Sequence, residues 1–309
     1  MAFVALGEGM LELTGSGLGP ATLGYGGDTL NTAIYLARLG LPVRYLTALG
    51  TDPFSHQLRA AWAGEGLGLD LVLTHPTRLP GLYAIHTRPD GERSFSYWRS
   101  DSAARALFDC PDSAAALDQA AKAQCLYLSG ITLSLFDDAG RAKLGDLCAA
   151  VRAQGGRIGF DPNYRPRGWP DADTARAAFA AIAPVVDIAF PTLEDEALLG
   201  HPTNAEALAQ RWLDRGAQEC VVKLGAEGAF VACAQGQALV RQSRTAAARD
   251  TTGAGDSFNA AYLAARLGGA DPFAAAAAGN ALASHVVEHP GAVIPSAAMP
   301  PRPAWEPPR

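Results

Sequence analysis

The chain reads as an α/β protein, with a mostly parallel sheet covered by helices on both faces and a small β-structure set outside it. Three observations carry this reading. From residue 125 onward, short apolar runs alternate with amphipathic stretches, the βα rhythm of a parallel sheet. Two aromatic-rich runs, 81–86 and 94–99, break that rhythm: Pro89-Asp90-Gly91 between them is a turn signal and no helix intervenes, so they form a hairpin outside the main sheet. Finally, residues 250–258, Asp-Thr-Thr-Gly-Ala-Gly-Asp-Ser-Phe, make a small-residue turn that runs straight into a helix.

In chain order, 2–6 is an apolar strand ended by Gly7. Gly26-Gly27-Asp28-Thr29-Leu30-Asn31 opens a helix whose apolar face is Leu30, Ala33, Ile34 and Ala37, and Gly40 followed by Pro42 stops it. A strand at 43–49 and a helix at 52–62 follow. In the hairpin, alternation puts Phe95, Tyr97 and Arg99 on one face, where the arginine is either a solvated edge charge or an anion clamp. The later strands are 125–128, 157–160, 185–190 and 220–224, and the helices are 138–153, 174–183 and 204–215. Right-handed crossovers join such units, and ligands bind beyond the carboxyl ends of the strands.

Those ends are where chemistry is sought. The strand ending at Phe160 leads into Asp161-Pro-Asn163-Tyr-Arg165-Pro-Arg167, a loop stiffened by two prolines. The strand ending at Phe190 leads to Thr192 and Asp195, spaced as a helix cap. Val221-Val-Lys223-Leu-Gly225-Ala-Glu-Gly228 is a strand and turn. Asp271-Pro272 opens a last helix, to about 288, that carries Asn280. His285, Glu288 and His289 have the H-x-x-E-H spacing, but they stand at a helix end just before Pro290 with no further ligand nearby, so no metal site is expected there. Residues 295–309 form a proline-rich tail, containing Trp305, expected to be poorly ordered.

Composition narrows the partners. The 309 residues allow one large or two smaller domains, and 49% hydrophobic with 18% charged residues suits a globular chain. A net charge of −6 argues against nucleic acid or an anionic membrane, so any anionic ligand needs local positive charge. Five dispersed cysteines without a C-x-x-C pair suit reduced thiols, which together with an amino terminus lacking a basic, apolar leader points to the cytoplasm. No apolar run reaches membrane-spanning length.

The turn at 250–258 is the richest stretch. Phe258, Ala261, Tyr262 and Ala265 fall on one buried helical face, so the turn presents backbone N–H groups at a helix amino terminus. Those groups and the helix dipole favour an anion such as phosphate, and Gly253 and Gly255 let it approach closely. No Lys-Ser/Thr follows, so this is not a Walker A loop. Asp256 in that first turn is either a cap or a base that takes a proton from a hydroxyl while the amides hold the phosphoryl group.

Residues 250–262, together with 26–31, resemble the two signatures of the ribokinase-like (PfkB) family of sugar kinases. The resemblance covers nearly the whole chain. It implies a three-layer α/β/α sandwich with a small β-lid, in which 1–294 is the kinase domain and the lid is inserted at roughly 12–25 and 70–100. It implies ATP and Mg²⁺ as cofactors, Asp256 as catalytic base, and an anion hole at Gly253, Ala254 and Gly255. Gly27, Asp28 and Asn31 would grip substrate hydroxyls; Asn163 and Arg165 would lie by the phosphate-transfer centre; Lys223, Gly225 and Gly228 would follow the nucleotide, with Asn280 near its base. Many members have Asn-x-x-Glu where this chain has Thr192 and Asp195, so a metal role is not carried over to them.

Further stretches, including Leu79-Pro-Gly-Leu-Tyr83, Gly91-Glu-Arg, Tyr97-Trp-Arg99 and Asn163-Tyr-Arg-Pro166, resemble the branch of that family that phosphorylates the sugar acid 2-keto-3-deoxygluconate on its 6-hydroxyl. That branch implies that Tyr83, Tyr97 and Arg99 reach the acid from the lid, Arg99 meeting its carboxylate, and that lids pair in a homodimer or larger homo-oligomer. Two alternatives stand beside it: a fructokinase or ribokinase acting on a neutral sugar, and a catalytically silent sugar- or nucleotide-binding regulator on the same scaffold.

Overall fold

A computed structural model describes residues 3–15, 19–87, 93–243 and 246–301. The turn at 89–91, the Gly91-Glu-Arg stretch in all but its arginine backbone, and Trp305 lie outside them. Strand β1 (Phe3–Leu6) opens the main sheet, and β2 (Met10–Gly15) and β3 (Thr22–Gly26) leave it as a hairpin. Helix α1 (Asp28–Arg38), β4 (Val43–Leu49), α2 (Pro53–Gly64) and β5 (Val72–Thr74) return to the sheet. Strands β6 (Leu82–Thr87) and β7 (Arg93–Trp98) then go back to the hairpin. The chain continues through α3 (Ser113–Ala120), β8 (Cys125–Ser129), α4 (Gly130–Leu133), α5 (Asp138–Ala153), β9 (Arg157–Asp161), α6 (Ala172–Ile182) and β10 (Ile188–Ala189). It closes with α7 (Leu193–Ala197), α8 (Ala205–Leu213), β11 (Glu219–Lys223), β12 (Gly228–Cys233), β13 (Gly236–Arg241), α9 (Ala254–Leu267) and α10 (Pro272–Val286).

The main sheet has nine strands in the order β13-β12-β11-β10-β9-β8-β1-β4-β5. From β5 to β11 every pairing is parallel, and β12 and β13 add an antiparallel edge. Alternation along each strand sends side chains to two separate cores. Val4, Leu6, Leu126 and Leu128 join Phe179 and Trp212 on one face; Phe3, Ala5, Cys125 and Tyr127 join Ile34, Phe258 and Tyr262 on the other. The result is a three-layer α/β/α sandwich. Each large side chain buried this way stabilises by about 1.5–3 kcal/mol, so both layers are held firmly to the sheet.

The second sheet, β3-β2-β6-β7, is the small β-structure expected to form the lid. Its own small core is Met10, Tyr83 and Ile85, with Phe95 against it. Two boundaries differ from the sequence reading. The range 70–100 assigned to the lid is too wide, because β5 pairs with β4 at the edge of the main sheet. The strand expected at 185–190 shortens to Ile188–Ala189, since the Asp187 side chain caps the neighbouring strand at Ile158 N and Pro191 has no N–H to extend the ladder. No helix among the described residues is long and apolar enough to cross a membrane.

Candidate active site

All the strand ends singled out from sequence open on one side, and two adjoining cavities lie over them. The larger, about 620 Å³, sits between the sheet and the lid. The smaller, about 490 Å³, lies between the β12–β13 edge and α10. Lys223, Thr251 and Gly255 line both, so the cavities meet at the start of α9.

Every residue proposed from sequence lies in this pair of cavities. Gly27, Asp28, Asn31, Tyr83, Tyr97, Arg99, Asn163, Arg165, Gly253 and Asp256 line the larger one. Gly225, Gly228, Ala254 and Asn280 line the smaller. Local sequence explains the placement. Gly253 caps α9 in a left-handed conformation, φ 74°, and a Cβ there would lie 2.3 Å from the Ala292 carbonyl oxygen. The turn before it is tied by Asp250, which accepts from Thr252 N at 3.0 Å and from Gly291 N at 2.6 Å. Gly27 begins α1 at φ 153°, with no room for a Cβ against the Glu8 carbonyl.

The charges are arranged in pairs. The three cations lining the larger cavity each have a carboxylate partner: Arg99 with Glu8, Arg165 with Asp195 at 2.8 Å, and Lys223 with Asp161 at 2.5 Å. Two further carboxylates face asparagines. Asn31 Nδ2 donates to Asp256 at 2.8 Å, and Asn163 Nδ2 donates to Asp28 at 2.9 Å. Asn163 is the one non-glycine residue with positive φ among the described residues, at 33°, and its N–H bonds back to Asp161 at 3.1 Å in an Asx turn.

Asp256 stands apart electrostatically. Desolvation first, then the neighbouring Asp28 charge, push its carboxyl up to about 7; Asp161 adds to this, while Asn31 and Lys223 oppose it. An aspartate poised near neutrality at a helix amino terminus is suited to accept a proton from a hydroxyl. Desolvation likewise raises Asp195, with Arg165 opposing.

The match to known proteins agrees with this geometry. Residues 18–299 fit the model of the pfkB family of carbohydrate kinases. The chain belongs to the PfkB family of carbohydrate kinases. This PfkB kinase is 43% identical over 303 residues to the 2-dehydro-3-deoxygluconokinase of Dickeya dadantii, covering 96% of this chain and 97% of that one. Among solved structures it is similar to a PfkB protein from Polaromonas sp. JS666, with a TM-score of 0.82 and 29% identity over 94% of this chain and 97% of that one. It is also similar to a ribokinase-type protein from E. coli solved with ATP and Mg²⁺, with a TM-score of 0.81 and 25% identity over 94% of each chain.

Sequence reasoning gave no role to two residues of this PfkB kinase. Glu8 follows β1, is buried, and pairs with Arg99. Its signal was a charged residue between Gly7 and Gly9 at the carboxyl end of an apolar strand. Asp161 ends β9 in the same way, buried beneath Lys223.

Proposed function

We propose that this PfkB kinase transfers the γ-phosphoryl group of ATP to the 6-hydroxyl of 2-keto-3-deoxygluconate, giving 2-keto-3-deoxy-6-phosphogluconate and ADP. One observation carries the reading: the cavity that holds Asp256 meets a second cavity at the amino terminus of α9. A sugar in the first would reach a phosphate entering from the second. The 43% identity to the Dickeya 2-dehydro-3-deoxygluconokinase supports the choice of sugar acid.

In this reading Asp256 takes the hydroxyl proton as the oxygen bonds to phosphorus and the bond to the ADP oxygen breaks. Asn31 holds the carboxylate in line by its 2.8 Å hydrogen bond. The amides of Gly253 and Gly255 that open α9 meet the charge that develops on the phosphoryl oxygens, whereas Ala254 N, also expected there from sequence, already donates to Thr251 O at 3.2 Å. The nucleotide lies along Lys223, Gly225 and Gly228, with its base toward Asn280. Mg²⁺ is bound in such sites chiefly by phosphates and water, with one or two carboxylates. When bound, the ion would neutralise phosphate charge; Asp195 lines the larger cavity but is already paired with Arg165 at 2.8 Å, so it is given no metal role.

One feature favours a neutral sugar instead. Arg99 is already paired with Glu8, so a substrate carboxylate would have to share its charge. ADP release measured with 2-keto-3-deoxygluconate, fructose and ribose decides between them. Preference for the sugar acid is expected; preference for fructose or ribose would replace this reading, and no turnover of any sugar would favour a silent regulator. We also place the kinase in the cytoplasm as a homodimer joined through its lids, whose Leu23, Tyr97 and Trp98 are exposed.

A further inference from the structure

Among the described residues, Lys223 is the only cation that lines both cavities. A lysine is a poor fixed charge unless something holds it, because its four-carbon stem rotates freely. Here the backbone is fixed first: Lys223 N donates to Pro191 O at 2.8 Å at the end of β11. The side chain then spans the short strand β10 to reach β9. Two strand spacings amount to about 9.6 Å, so only a long side chain can bridge to an aspartate there. It ends on Asp161 Oδ2 at 2.5 Å.

Asp161 is itself held from three sides. Asn259 Nδ2, on the buried face of α9, donates to the same Oδ2 at 2.6 Å and to Tyr127 OH at 2.9 Å. Asn163 N donates to Oδ1 at 3.1 Å. The carboxylate is thus anchored to α9, the helix whose amino terminus carries Asp256. The Lys223 ammonium comes to rest beside that terminus, 3.4 Å from where a Cβ on Gly255 would lie. Both side chains are nearly buried, at 11% and 5% exposure, so the pair persists against water. A structural ion pair could be placed anywhere in the core; this one sits where a phosphoryl group passing between the cavities must go.

We propose that Lys223 is a catalytic residue that stabilises the transferring phosphoryl group, and that Asp161, fixed by Asn259, is the positioning residue that aims it. This rests on the kinase reading above, but not on which sugar is the acceptor. The pair acts in a second way. Asp256 is faced by Asp28 and Asn31 from α1, Asp161 from β9, Lys223 from β11, and the phenols of Tyr35, Tyr83 and Tyr127. Asp161 makes the base harder to ionise and Lys223 makes it easier. Replacing one or the other must move the base in opposite directions.

The test uses Asp161→Asn and Lys223→Met in the full chain, assayed on whichever sugar the wild-type enzyme turns over best. Both variants are expected to lose about a hundred- to a thousandfold in kcat, the usual worth of one oriented donor, with the KM for the sugar little changed. The acid limb of kcat/KM should move to lower pH in Asp161→Asn and to higher pH in Lys223→Met. A structural pair would lower stability in both while leaving kcat near normal, whatever the pH limbs do. Normal kcat in either variant, or limbs moving the same way, would overturn the proposal. Should Asp161→Asn fail to fold, Lys223→Met and Asn259→Ala carry the same kcat criterion, Asn259→Ala losing less than Lys223→Met. Failure of the sugar-acid reading would appear separately, as turnover of a different sugar with the pair still required.

Discussion

Arg99 poses the sharpest question about specificity. If it reads the substrate carboxylate, it must do so while beside Glu8, with which it shares a nearly water-free site: the side chains are 17% and 0% exposed. Arg99→Leu alone is a poor probe. It would leave Glu8 as a buried, unpaired charge, and breaking such a pair costs about 3–5 kcal/mol of stability, enough to obscure any effect on substrate. Replacing both members by leucine removes both charges together, and apolar replacement of a buried pair is often close to neutral. The double variant therefore isolates recognition from folding. A charge-assisted hydrogen bond contributes about 1.5–3 kcal/mol, or roughly ten- to 150-fold in kcat/KM, and sharing the guanidinium with Glu8 places the expectation toward the lower end. The assay is ADP release, with kcat/KM for 2-keto-3-deoxygluconate and for a neutral sugar in both proteins. The acid-to-neutral ratio should fall about tenfold or more in Glu8→Leu/Arg99→Leu, with thermal stability retained. Equal losses on both sugars in a stable variant would mean that Arg99 supports the lid and does not read the carboxylate.

Asp256→Asn should lower kcat by about 10²–10⁴-fold while ATP and sugar still bind, as seen by calorimetry; near-normal turnover would reduce Asp256 to a helix cap. The base works ionised, so wild-type kcat/KM should rise with pH through about 7, and Asp28→Asn should move that limb to lower pH. Because the folded-state value is raised, the stability linked to this proton is present below the ordinary carboxylate range and lost as pH rises through about 7. Asp256→Asn should therefore melt higher than wild type at about pH 8 and alike at about pH 4, and the reverse order would contradict the sign. Gly253→Ala forces a Cβ to 2.3 Å from the Ala292 carbonyl oxygen at φ 74°, so it should distort the amides of the turn. A loss of about 10²–10³-fold in kcat, with sugar KM little changed, is the expected kinetic signature. For the lids, light scattering should give a dimer that Trp98→Asp dissociates; a wild-type monomer at assay concentration would remove that claim.

The sequence made the sheet and most helices legible because apolar period and cap residues agree. Asp52, Asn204 and Asp271, where the sequence reading opens helices, cap them in the structure; Asp137 and Asp171, which it did not single out, cap two more, the second starting α6 two residues before the expected 174. What escaped were elements without a local signature. Strand β13, Gly236–Arg241, is largely exposed, with Leu239 and Val240 only partly buried, one against each core, so it has no strong alternation to announce it. The β2–β3 hairpin was placed only through the family resemblance, at roughly 12–25: it mixes polar and small residues, and its pairing with β6 depends on contacts about 70 residues apart. In the site, residue types were readable but partners were not. Asn31 meets Asp256 across 225 positions and Asn163 meets Asp28 across 135, distances that no local pattern encodes. Arg99 shows the consequence: its place on the lid face was legible, but its partner, Glu8, was not.

The phosphorylated product tests the central claim most directly. Purified enzyme, ATP, Mg²⁺ and 2-keto-3-deoxygluconate, followed by ³¹P and ¹³C NMR, should yield one phosphomonoester whose phosphorus couples to C6, with ADP formed in equal amount and no product from Asp256→Asn. Phosphate on another carbon, or product from fructose or ribose while the sugar acid is left untouched, would contradict it.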